Sequence, residues 1–269
     1  MLNTRYSGNA YEHFFLPHLS SDQVKDIPKE KALAVLHIGA VEQHGKHLPT
    51  FTDTLIGEGL LAKTFEKFTR EDNIWLLPSI PYGKSTEHLY HSGTFSLSAL
   101  TLQNILMDLG KSTANNGFRR LLILNTHGGN NDLLNMMARD IRVETGLMVF
   151  RLNPYSEKTK TLITEEEAEY GIHGGDVETS MVLDFKKNWV DMNLAAKDFF
   201  NFPENKTSLN LKGNRYFAWM AEDISKTGIA GDARKATMEK GKEINENISD
   251  FMAETFLEMA DFEIDDLKK

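Results

Sequence analysis

The sequence predicts an α/β fold with a mostly parallel central sheet, and three observations carry that reading. Short apolar runs closed by glycine, such as residues 32–38 before Gly39, read as buried strands entering loops. Amphipathic stretches with helical spacing of their apolar residues separate those runs. The titratable residues gather just past the runs, where open parallel sheets hold their ligands. With 269 residues, 41% of them hydrophobic, the chain can bury a sizeable core without staples. No repeat, linker or low-complexity segment divides it, so one domain spanning residues 1–269 is expected.

Composition removes several function classes. There is no cysteine, which excludes disulfides, thiolate zinc sites and cysteine nucleophiles. Any metal must be held by His, Asp and Glu, a set that suits Zn, Mn or Fe. A net charge of −9 argues against a nucleic-acid groove. No apolar run approaches transmembrane length, and the opening MLNTRYSGNAYEHFF lacks the basic and apolar regions of a signal peptide. A cytoplasmic chain with no membrane or nucleic-acid partner is the expectation.

Along the chain, residues 1–30 read as irregular, with Ser20 or Ser21 capping a short helix that ends before Pro28. His13 and His18 lack acidic partners at ligand-like spacing and read as surface or packing residues. The first strand, residues 32–38, delivers a loop carrying Glu42, His44, His47 and Asp53. Residues two apart in an extended segment project to opposite sides. Glu42 and His44 can therefore serve two neighbouring metal positions only if the loop bends. Asp53 has two carboxylate oxygens and can bridge a metal pair, although it also sits at the expected N-cap of a helix over residues 53–70. We take this loop as the first half of a divalent-metal site.

Residues 74–83 read as a strand interrupted by Pro78 and Pro81. The following Gly83-Lys84-Ser85 imitates the end of a P-loop, but that motif needs a glycine where Pro78 stands. His88 and His91 have the spacing of a helical ligand pair, yet no HExxH arrangement supports a zincin. Glu87 and His88 are pocket-lining candidates. A helix over residues 98–116 ends at Gly117. The next strand, residues 121–124, runs into Asn125-Thr126-His127-Gly128-Gly129-Asn130. His127 there stands where a parallel strand delivers ligands, and Asn130 or Asn131 is expected to cap a helix bearing Leu133, Leu134, Met136, Met137, Ile141 and Val143. Residues 147–152 form a further strand, and residues 164–169 an exposed helix start. In the stretch 170–180, His173 precedes two glycines and a helix beginning near Asp176, with Glu178 in its first turn. Residues 186–230 are the least readable, and Trp189 and Trp219 are placed in the core. A long helix over residues 234–262 turns Met238, Ile244, Ile248, Phe251, Met252, Phe256 and Met259 inward, and the tail EIDDLKK is expected to fray.

Taken in order, IGAVEQHGKHLPTFTD, PYGKSTEHLYHSGTFSLS, LNTHGGN and HGGDVETS make the chain resemble the creatininase (creatinine amidohydrolase) family over most of residues 30–240. The resemblance implies a three-layer αβα sandwich, a dinuclear metal site and hydrolysis of a C–N bond, often in a cyclic amide. It also implies a homo-oligomer, commonly a hexamer. Its metal ligands fall on Glu42, His44, Asp53 and His127, with Asp53 bridging. Creatininase itself carries a further ligand, a glutamate, where this chain has Gly129, and Glu178 is the expected replacement. A second departure stands at His91 and Ser92, where the family usually shows an aromatic residue and a proline beside the pocket. Both departures weigh against creatinine itself as the substrate.

The expected chemistry is metal-assisted hydrolysis of a small molecule, a cyclic amide or a formamide. Two cations (Zn, Mn or Fe) would lower the pKa of a bound water from near 16 towards about 7, and the resulting hydroxide would attack a carbonyl. His173 is the candidate proton shuttle to the leaving nitrogen; its alternative role is to donate to a ligating carboxylate and orient it. Glu178 joins it in the catalytic set, and His47 and His88 are candidates for substrate contact. Two alternatives stay open: ring opening at a C–C bond of a cyclic polyol ketone, and a non-catalytic metal-binding protein. A serine hydrolase is set aside because no G-x-S-x-G occurs.

Overall fold

The computed structural model describes residues 6–201, 208–211 and 214–268. A short helix α1 (Ser21–Lys25), closed by a Ser20 capping box, precedes the first strand. Strand β1 (Leu33–Ile38) is buried along its whole length, as befits a strand covered on both faces. Helix α2 (Thr52–Phe65) and strand β2 (Ile74–Leu76) follow. Helix α3 (Ala99–Asn115), strand β3 (Arg120–Asn125), helix α4 (Asn131–Thr145) and strand β4 (Met148–Leu152) complete a run of β-α-β units. The four strands form one parallel sheet in the order β2-β1-β3-β4. Beyond it lie α5 (Glu165–Tyr170) and α6 (Asp176–Lys186). A small antiparallel pair, β5 (Lys197–Asp198) with β6 (Gly231–Asp232), flanks α7 (Ala221–Ile224), and the long α8 (Met238–Asp261) closes the fold.

Side chains on a strand alternate between faces, and β1 divides accordingly. Leu33 and Val35 join Leu60, Leu61, Val182, Ile244 and Phe256 in a core beneath α2, α6 and α8. Ala34, Leu36 and Ile38 join Leu102, Leu106, Leu134 and Ile141 in a second core beneath α3 and α4. Helices thus cover both faces, giving the expected αβα layering. The β1 and β3 strands end side by side, with Ile38 opposite Asn125, so the loops carrying Glu42 and His127 leave the sheet as neighbours.

Several expectations are corrected. Phe51, not Asp53, is the N-cap of α2, and the Asp53 carboxylate lies against His44 and His127. Asn130 does not cap α4 with its side chain; it accepts from Lys84 N at 2.8 Å and donates to Gly39 O at 3.2 Å. The prolines confine β2 to three residues. Glu167 is buried although it belongs to an acidic run. Met136, Val143, Trp189, Met238 and Phe251 are exposed. The tail forms a 3-10 turn at Ile264–Lys268, beside a Glu263–Arg120 ion pair at 2.5 Å.

Candidate metal centre

The β1–α2 loop meets the bending condition. Gly45 takes a positive φ of 72°, a conformation glycine adopts without a Cβ penalty, and Glu42 N donates to Thr50 O at 2.9 Å. The loop folds back, and both Glu42 (1% exposed) and His44 (0%) end up inside. Asp53, on the first turn of α2, faces both of its neighbours. Its Oδ1 lies 3.4 Å from His44 Nε2, and its Oδ2 lies 3.2 Å from His127 Nδ1. Glu42 Oε1 stands 3.3 Å from the same His127 nitrogen. On the other side, Glu178 Oε2 approaches His44 Nε2 to 3.8 Å.

Proton positions follow from the outer hydrogen bonds. His44 donates from Nδ1 to Glu42 O at 3.1 Å, and His127 donates from Nε2 to Lys84 O at 3.2 Å. In the neutral rings these bonds leave the lone pairs on the nitrogens facing the carboxylates, the tautomers that metal-bound histidines adopt. A lone pair set against a carboxylate oxygen is repulsive unless positive charge lies between them. The orphaned atoms agree: Glu42 Oε2, His44 Nε2 and Asp53 Oδ2 are buried with no hydrogen-bond partner, three of six such side-chain atoms among the described residues. An uncompensated buried charge is costly, and a divalent cation held by His and carboxylate donors compensates it. Donor atoms of Glu42, Asp53 and His127 come within 4.8 Å of one another, as do those of His44, His173 and Glu178. A third such group joins Glu42, His88 and His173.

Electrostatics describe the same demand for positive charge. Burial would depress His44, yet Asp53, Glu178 and Glu42 raise it to about 10. His127 is lifted well above its ordinary value by Glu42 and Asp53, again against burial. Burial pushes Glu178 up to about 7, with His44 opposing. Burial would also raise Glu42 and Asp53, but the surrounding imidazoles hold both carboxyls below their ordinary range.

Gln43, between the two ligand candidates in sequence, sets the protonation of two more histidines. Its amide nitrogen donates to His88 Nδ1 at 2.9 Å and to Gly228 O at 2.7 Å. Its Oε1 accepts from Gly45 N at 2.9 Å. Both amide hydrogens are thus used, and its 3.3 Å approach to His173 Nε2 is a contact between two donors. His173 Nε2 donates instead to Gln43 O at 2.7 Å, which leaves a bare Nδ1 at 3.6 Å from Glu42 Oε1. His88 presents its Nε2–H to Glu42 Oε1 at 3.5 Å. Burial holds His173 well below its ordinary value, and His44 and His88 add to the effect. Burial likewise brings His88 down to about 4.

Of the residues singled out in the sequence, Glu42, His44, Asp53, His127, His173 and Glu178 converge. His88 and His47 are both buried. His88 braces Glu42, while His47 Nε2 meets Thr179 Oγ1 at 2.8 Å and ties the first loop to α6. His91 lies apart, its ring centroid 6.5 Å from that of His88. Sequence reading missed Gln43, whose position between Glu42 and His44 was the available signal. It also missed Glu167, which accepts from Asp176 N at 2.7 Å and Asp232 N at 2.8 Å. Those bonds fasten the start of α6 and, with Gly174 N donating to Glu178 Oε2 at 2.6 Å, set the Glu178 carboxylate in place. Gly129 has no room for a side chain. A Cβ there would lie 2.5 Å from His127 Nε2 and 2.6 Å from Lys84 O, and would overlap the Glu87 carboxylate.

The model of the creatininase family, described as creatinine amidohydrolase, matches residues 17–256. The chain belongs to the creatininase family. Family membership makes it a metal-dependent amidohydrolase. A relative from Mycobacterium ulcerans, named mycofactocin precursor peptide peptidase, is 29% identical over 235 residues, covering 85% of this chain and 86% of that protein. A Thermotoga maritima protein named 3-dehydro-scyllo-inosose hydrolase is 26% identical over 262 residues, covering 87% and 79%. Among solved structures, that of a putative creatinine amidohydrolase from Bacteroides fragilis has a TM-score of 0.76 at 24% identity, over 96% of this chain and 99% of that one. Creatininase structures titled with Mn and with a Zn–Zn pair have TM-scores of 0.73 at 22% identity, over 92% of this chain and 99% and 98% of theirs.

Proposed function

We propose that this creatininase-family enzyme hydrolyses the C–N bond of a small amide, cyclic or formyl, at a centre of two divalent cations. In this reading Glu42 and His127 hold one cation, His44 and Glu178 hold the other, and Asp53 bridges them. The observation that carries it is the Asp53 carboxylate, with each oxygen facing a different bare imidazole nitrogen. When bound, the cations supply a water of lowered pKa and polarise the scissile carbonyl. The chain's own residues do the rest. His173, with its Nε2 proton committed to Gln43 O, offers Nδ1 as the atom that takes a proton from water and passes it to the leaving nitrogen. Glu178 lies in the same group of donor atoms as His44 and His173, and as a ligand of the second cation it would stay a carboxylate beside the proton carrier. His88 and Gln43 hold Glu42 and His173 in register, and burial of the centre excludes bulk water.

Metal analysis with substitution tests the assignment. Glu42→Gln and His127→Ala are expected to lose bound metal and turnover while keeping the far-UV spectrum of the folded chain. His173→Ala is expected to keep the metal and lose rate. Loss of metal in the His173 variant would move that residue into the coordination shell. A second reading, ring opening at a C–C bond of a cyclic polyol ketone, draws support from the T. maritima relative, and the peptidase relative extends the amide reading to peptides. A screen of lactams, formamides, short peptides and cyclic polyol ketones separates these: turnover confined to the ketones would overturn the amide reading.

A further inference from the structure

His37 is the penultimate residue of β1 and is 0% exposed, an unusual place for an imidazole in an otherwise apolar strand. Its Nδ1 is 3.0 Å from Ser79 Oγ, and its Nε2 is 2.8 Å from Thr126 Oγ1. Thr126 Oγ1 in turn donates to the backbone carbonyl of Asp53 at 2.8 Å. Because the single Thr126 hydroxyl proton goes to Asp53 O, its oxygen accepts from His37, so the His37 proton sits on Nε2. His37 Nδ1 then accepts from Ser79. The proton order is fixed at every step: Ser79 to His37, His37 to Thr126, Thr126 to Asp53.

We infer that His37 and Thr126 are positioning residues of the metal centre, fixing Asp53 relative to His127 through a directed hydrogen-bond chain. Thr126 immediately precedes His127 in sequence, and Thr126 N donates to Ile38 O at 3.1 Å. The chain therefore joins the ends of β1 and β3 to the first turn of α2. Helix α2 sits directly on the ring: a Cβ at Gly57 would overlap His37 Nε2, so only glycine lets the helix approach closely enough. Buried groups behind ligating residues typically change metal affinity about 10–100-fold when removed. The geometry places His37 and Thr126 behind Asp53 and outside the groups of donor atoms that could hold a cation.

The inference rests on the proposed dinuclear reading, and the test separates the two. Co(II) is titrated into the chelator-treated full-length chain while its visible absorption and the bound stoichiometry are followed. Thr126→Val deletes the hydroxyl at nearly constant shape and is expected to weaken Co(II) binding at least about tenfold and to alter the band pattern. Thr126→Ser keeps the hydroxyl and is expected to restore both affinity and spectrum. His37→Gln retains an amide donor near the Nε2 position and is expected to bind more tightly than His37→Leu. If the wild-type chain takes up no Co(II), the metal-centre reading itself fails. If wild type binds but Thr126→Val matches it in affinity and spectrum, this inference is overturned. It is equally overturned if Thr126→Ser is as weak as Thr126→Val, since that would assign the effect to packing. The Thr126 pair decides the matter even if the His37 variants fail to fold.

Discussion

Gly129→Ala is the smallest change that probes how the centre is packed. The new methyl would lie 2.5 Å from His127 Nε2 and 2.6 Å from Lys84 O, and would overlap Glu87 Oε1. The Glu87 carboxylate ends a flexible side chain and can withdraw. The other two atoms are the donor and acceptor of the 3.2 Å bond that sets the His127 tautomer, and they cannot separate without losing it. Overpacking costs about 1–3 kcal/mol, and a lost hydrogen bond about 0.5–1.5 kcal/mol. The total is about 1.5–4.5 kcal/mol. At about 2–4 °C per kcal/mol for a chain of this size class, the melting temperature should fall by about 3–18 °C. Calorimetry on the chelator-treated variant reads that directly, and the metal-loaded variant should also bind its ions more weakly. Gly129→Glu should fare no better, so a carboxylate cannot be returned to this position by a single substitution. A Gly129→Ala protein with wild-type melting temperature and metal affinity would refute the reasoning.

Other outcomes follow from the same geometry. Asp53→Asn should fold and bind fewer than two cations per chain by elemental analysis; two retained at unchanged affinity would remove Asp53 as the bridge. Gln43→Leu strands His88 Nδ1 and Gly228 O, at about 1–3 kcal/mol each, while the backbone carbonyl that accepts from His173 is retained; a loss under about 1 kcal/mol in urea denaturation would contradict this. The metal-free chain should show a stability maximum near neutral pH. His44, raised to about 10, and Glu178, raised to about 7, stabilise fully below their ordinary values and lose that contribution as pH rises through the raised ones. His47 and His88, both depressed to about 4, stabilise above the ordinary histidine value and lose that as pH falls towards 4. A melting temperature of the chelated protein that climbs steadily from pH 6.5 to 10 would reverse the sign argued here.

The sheet, its flanking helices and the positions of Glu42, His44, Asp53 and His127 were legible because each follows an uninterrupted apolar run. Burial on both faces writes itself into sequence as a run such as LAVLHI, and the candidates Glu42, His44 and His127 sit just past the ends of such runs. Glu178 and His173 were reached through the resemblance, since a glutamate in a helix first turn looks the same whether it stabilises the dipole or faces an imidazole. What stayed illegible depends on contacts between distant segments. Glu167 reads as one of three surface glutamates, and only the folded chain brings Asp176 N and Asp232 N to it. Trp189 reads as core because it is large and apolar, whereas its segment lies on the surface.

The five proposed ligand side chains are unequally sheltered. Those of Glu42, His44, Asp53 and His127 keep 0–4% of their surface, while that of Glu178 keeps 27%. Among these five, the proposed centre is most open at the edge formed by α6's opening residues, the approach expected to serve ions, water and substrate. Chelators too large for it should strip the protein slowly however tightly they bind in solution, and substitutions beside Glu178 should alter exchange rates before they alter affinities.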